Sequence, residues 1–152
     1  MSLVRRAQMV EGCQAILGYQ FNDSDLLWEA LQAAGSPVVY IGARHLRDGN
    51  KRLALLGDTV LKLVLVREWY TSGRDRAVVD QILSSVGSNA NLNSVGQRNG
   101  LSSFVNGNPS QRGVVPPNTM AATVEATLGA VFLDSGLQSV AEVMQTLGLM
   151  PA

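Results

Sequence analysis

The chain has 152 residues, 46% of them hydrophobic and 16% charged, which is enough apolar material for one well-filled core but marginal for two. Twelve basic and twelve acidic side chains cancel, so a polyanion cannot be gripped by bulk charge and any site for one must be local. The single cysteine, Cys13, excludes an internal disulfide framework and a multi-cysteine metal cluster, in keeping with an intracellular location in cytoplasm, nucleus or mitochondrion.

In chain order, Met9, Val10, Cys13, Ile16 and Leu17 recur at helical spacing and predict a first helix from Val4 to Leu17, broken at Gly18. Asn22 or Asp23 is a suitable N-cap for a second helix with Leu26, Leu27, Ala30 and Leu31 facing inward, ending near Gly35 and Pro37. Residues 35–49 read as an exposed loop. It carries Arg44, His45 and Arg47 and leads into Lys51 and Arg52, which together form the one basic cluster of the chain. That cluster is either a solvated loop and first helical turn or a set of phosphate contacts.

Leu53, Leu56, Val60, Leu63 and Val64 predict a long, largely buried helix over residues 50–70. Asp58 and Lys62 interrupt its most apolar stretch, which is also shorter than the roughly 20 residues needed to span a membrane, so no membrane segment is expected. Another helix is expected from Arg76 through Leu92, with Gly87 and Ser88 allowing close helix contact, and Gly100 interrupts the pattern before residues 101–105. The proline-rich stretch 106–118 is expected to be loop, with Asn118 or Thr119 capping a helix that mixes small and large apolar residues and stops at Gly136. A last amphipathic helix covers Leu137 to Leu147. No stretch has a convincing strand pattern, so the expected fold is all-α, with six or seven helices.

Asp58, in LALLGDTVLKLVLV, and Glu125, in MAATVEATLGAVFL, are lone acids in the two most apolar helices. An ionised carboxylate buried without a partner is prohibitively costly, so each must be paired, bound to metal, or open to a cleft. Asp58 and Glu125 could lie on the exposed stripes of their helices or pair with Lys62 or Arg52; alternatively, opposed helices bring both acids to one notch suited to Mg²⁺. The only histidine, His45, has no adjacent cysteine and no Ser-His-Asp arrangement in sequence, which speaks against acyl-transfer chemistry.

Residues 50–61, NKRLALLGDTVL, resemble the signature helix of the ribonuclease III family, and residues 124–136, VEATLGAVFLDSG, resemble its second acidic helix. Residues 17–31 and 88–101 are similar to the family's opening and middle helices, so the resemblance covers nearly the whole chain. It implies a ribonuclease III endonuclease-like homodimer over residues 1–152, without a separate double-stranded RNA-binding domain. It further implies Mg²⁺-dependent cleavage of double-stranded or structured RNA, with Mn²⁺ as the alternative ion. Asp58 and Glu125 would be the catalytic and metal-binding acids, Arg44, Lys51 and Arg52 the RNA contacts, and Leu55 a residue of the dimer interface or, otherwise, of the intrachain core.

The chain departs from the family's four acids. Ala54 stands four residues before Asp58 and Ala122 three before Glu125, where the resemblance leads one to expect carboxylates; Lys51 replaces another common acid, and Arg76 falls near an expected glutamate. Two readings follow from these losses. One is a minimal nuclease in which waters replace the missing ligands, as in the compact mini-ribonuclease III subgroup. The other is a degenerate RNA-binding or assembly module like the ribonuclease III-like subunits of mitochondrial ribosomes.

Overall fold

The computed structural model describes residues 3–151. Among the described residues seven α-helices carry the fold: α1 (Leu3–Leu17), α2 (Ser24–Ala30), α3 (Lys51–Ser72), α4 (Arg76–Val86), α5 (Asn89–Arg98), α6 (Pro117–Ser135) and α7 (Leu137–Leu147). The all-α expectation holds. Among the described residues no helix is long and apolar enough to cross a membrane.

Helix α6 is the axis of the molecule. Ten of its residues between Met120 and Val131 are buried, so it is apolar nearly all round, as a helix enclosed by others must be. It packs on α3, α5, α2 and α7. Leu61, Leu65, Leu92 and Met144 are fully enclosed around it, as is its own Leu128, each contributing about 1.5–3 kcal/mol by leaving water.

The closest approach is between α3 and α6, and glycines make it. A Cβ on Gly57 would collide with the backbone carbonyl of Glu125, and one on Gly129 would collide with the carbonyl of Leu53. The two helices therefore cross backbone to backbone, which the small-residue pattern of α6 anticipated. Asp58 follows Gly57 directly, so this crossing sets where both acids lie.

Several boundaries differ from the sequence expectation. Helix α2 stops at Ala30 rather than near Gly35, because the chain leaves it to pair with a distant segment. Asn106 N–H donates to the Leu31 carbonyl at 2.9 Å, and Ala33 N–H donates to the Asn106 carbonyl at 3.0 Å. The expected helix from Arg76 through Leu92 is two helices, since Ser88 caps α5 by accepting a hydrogen bond from Asn91 N–H at 3.1 Å. Gly87 and Ser88 thus mark a break instead of a contact point. Helix α6 starts earlier than expected, with Pro117 at its first position, where the missing N–H costs nothing.

The loop expected at 35–49 contains a hairpin, β1 (Tyr40–Ile41) paired antiparallel with β2 (Arg44–His45) across a Gly42-Ala43 turn. Gly42 has φ +60°, the conformation the first turn residue needs. A two-residue strand cannot announce itself by alternation, which is why no strand was expected. The side chain of Asn50 ties the start of α3 into place, donating to the Ala30 carbonyl at 2.8 Å and to Thr123 Oγ1 at 3.1 Å.

Candidate active site

Asp58 and Glu125 come together. They line one notch of about 340 Å³ between α3 and α6, whose walls include Lys51, Ala54, Leu55 and Ala122. Asn89 at the start of α5 and Asn118 in the first turn of α6 complete the rim, Asn89 Nδ2 donating to Asn118 Oδ1 at 3.3 Å. The two asparagines were not among the expected site residues. Polar residues at helix starts read as caps, and only the packing of α5 beside α6 turns them toward the acids.

The electrostatics follow from this enclosure. Burial, reinforced by a hydrogen bond with Asp58 and by its negative charge, pushes the Glu125 carboxyl up to about 7, while Lys62 and Lys51 partly offset the rise. Asp58 does pair with Lys62, one turn on, at 3.0 Å; among the described residues it makes no ion pair with Arg52. The surface-pair reading of Asp58 is therefore correct as far as it goes, but burial and the neighbouring Asp58 outweigh the two lysines at Glu125.

The remaining expected residues separate into two groups. Lys51 faces the acid notch, whereas Arg44 and Arg52 line a second cavity, of about 270 Å³, under the hairpin. Arg44 Nη2 is 2.8 Å from Oε1 of Glu29, a buried acid of α2 that sequence reasoning passed over because it sits among ordinary apolar helix residues. Leu55 is 71% exposed, which removes the intrachain-core alternative for it. Arg76 begins α4 on an exposed surface and does not line the notch.

A family model described as ribonuclease-III-like matches residues 23–151. The chain belongs to the ribonuclease-III-like family. Among curated relatives, ribonuclease 3 of Bordetella avium is 32% identical over 134 residues, covering 85% of this chain and 50% of that protein. Ribonuclease 3 of Rhodopirellula baltica is 34% identical over 136 residues, covering 84% and 47% respectively. The chain thus spans about half the length of the curated relatives it matches.

Two solved structures of the nuclease domain of ribonuclease III from Campylobacter jejuni share this fold. Their TM-scores are 0.76 and 0.75 at 21% and 20% identity, and they cover 91% and 97% of this chain and 94% of each of theirs. One of them concerns structural flexibility in a region involved in dimer formation in that protein. In this ribonuclease-III-like chain, Ala54 and Ala122 both lie on the notch wall, so the two methyl groups stand on the cavity where further carboxylates were expected. Among the described residues no third histidine, cysteine, aspartate or glutamate joins the pair.

Proposed function

We propose that this chain is a divalent-cation-dependent endoribonuclease that cuts double-stranded or structured RNA by phosphodiester hydrolysis at the Asp58 and Glu125 notch, acting as a homodimer. The observation that carries this reading is the convergence of two carboxylates from different helices in one open notch, where burial and Asp58 raise the Glu125 carboxyl to about 7.

The donor set fits Mg²⁺, with Mn²⁺ as its substitute. Mg²⁺ takes one or two protein carboxylates and keeps several waters, and a notch of about 340 Å³ leaves room for those waters beside the alanine methyls. Asp58 and Glu125 would hold the ion, which supplies the charge that acidifies an attacking water and offsets charge developing on the leaving oxygen. Lys51 makes no ion pair among the described residues, so its ammonium is available to a phosphate oxygen in the same notch. Lys62 holds one Asp58 oxygen, which restricts the carboxylate's rotation. Arg52 contacts a phosphate beside the notch, while Arg44 lines the same cavity with its guanidinium held by Glu29.

Duplex RNA suits a protein of zero net charge because A-form helices are recognised by shape, 2′-hydroxyls and phosphates rather than by bulk attraction. The homodimer is supported by an apolar stripe on α3, where Leu55, Leu63 and Tyr70 are 71%, 50% and 78% exposed.

The test is cleavage of a labelled RNA duplex with and without Mg²⁺, comparing the parent with Asp58→Asn/Glu125→Gln. The parent should cut only with the ion, and the double variant should lose at least a hundredfold in rate, a loss of about 2.7 kcal/mol in barrier terms. A second reading is favoured by the two alanines on the notch wall: a duplex-binding module without hydrolysis. Equal traces from the two proteins, with duplex binding retained in both, would establish that reading instead.

A further inference from the structure

The cavity under the hairpin has a composition of its own. Glu29 is buried in its floor, with only 6% of its surface exposed, and its Oε1 has Arg44 at 2.8 Å but no hydrogen directed at it. Arg47, Arg52, His45 and Asp48 complete the polar lining. Among the described residues neither Arg47 nor Arg52 lies within 4.0 Å of a carboxylate, so after Arg44 cancels Glu29 and Asp48 cancels one arginine, the cavity keeps one positive charge. The charge of Arg52 also acts on Glu29, but neither Arg47 nor Arg52 makes an ion pair or hydrogen bond with it, and guanidinium forks match phosphate oxygens.

The position matters as much as the charge. Arg52 and Leu53 line this cavity while Lys51 and Ala54 line the acid notch, so the first turn of α3 is a wall common to both. A strand lying across the notch would pass over that turn.

We infer that the hairpin cavity is a phosphate-binding subsite, seating a phosphate of the RNA strand next to the acid notch on Arg47 and Arg52, with the Glu29 carboxylate weakening it by holding Arg44. The inference rests on the proposed action on RNA. The ligand chemistry is a phosphate oxyanion, whose source is either the strand's internal backbone or its 5′ end.

The experiment uses the full chain carrying Asp58→Asn/Glu125→Gln, so that RNA stays intact, and follows a fluorescent RNA duplex by anisotropy across a salt series. Adding Arg47→Ala/Arg52→Ala should weaken binding about tenfold and flatten the dependence of log affinity on log salt by about one to two units. Adding Glu29→Gln instead should tighten binding several-fold, because the cavity loses a negative charge while keeping its shape. A 5′-phosphorylated duplex gives the larger arginine effect if the source is a strand end; equal effects on phosphorylated and hydroxyl ends identify the backbone. Unchanged binding and salt slope in the arginine variant overturns the subsite, as does weaker binding by a folded Glu29→Gln protein. Separate outcomes distinguish the two proposals. RNA that is bound through these arginines but never cut by the parent removes the nuclease reading alone, and RNA that is cut but indifferent to the arginines removes the subsite alone.

Discussion

At the scale of single residues, the proposed chemistry turns on Glu125. Its carboxyl titrates near 7 because burial and Asp58 disfavour its charge, and a cation binding the pair must displace that proton. Mg²⁺ affinity should therefore rise about tenfold per pH unit below 7 and level off above it, which calorimetric titrations at several pH values would detect. Replacing Lys51 by alanine removes one charge that lowers the Glu125 pKa, so the rise should move to higher pH. Stability runs the other way with pH. Glu125 binds its proton more tightly folded than at its ordinary value of 4.5, so without metal the protein should lose stability as pH climbs from about 4.5 to 7. Thermal melts should show that part of the decline missing from Glu125→Gln.

At the scale of elements, the crossing of α3 and α6 fixes the site. Each acid was visible in the sequence as a charge out of place in an apolar helix, and the small residues of α6 signalled a close partner. Which helix supplied that partner, and that the contact fell at Gly57, depended on three-dimensional register. Gly57→Ala puts a methyl group against the Glu125 backbone and should cost about 1–3 kcal/mol in urea denaturation as the helices part. The same variant should lose Mg²⁺ affinity although no ligand has been altered, because the carboxylates separate with the helices. The hairpin and the break at Gly87 and Ser88 were illegible for a different reason. Two-residue strands carry no period, and a serine cap inside an apolar pattern looks like an ordinary helical serine until its hydrogen bond to Asn91 is seen.

At the scale of the whole molecule, α6 is wrapped by four other helices, while α3 keeps one apolar stripe uncovered. Leu55 on that stripe also borders the acid notch, so a second copy docked there would close over one side of the site. Leu55→Asp should yield a monomer in sedimentation velocity at micromolar concentration, with its melting temperature little changed because the residue is outside the intrachain core. A parent that sediments as a monomer at the same concentration would refute the homodimer.

The amino-acid sequence by itself determined the helical class, the positions of most helices and the two acids that had to be paired, since hydrophobic period and the cost of burying charge act locally along the chain. Its resemblance to ribonuclease III also marked Ala54 and Ala122 as positions where carboxylates were expected. Only the tertiary structure decided that Asp58 and Glu125 share one notch with Lys51, that Arg44 and Arg52 belong to another cavity over Glu29, and that Asn89 and Asn118 face the acids. Those facts depend on which helices cross and at what residue, and a crossing made by glycine backbones leaves no periodic trace of its partner in either helix alone.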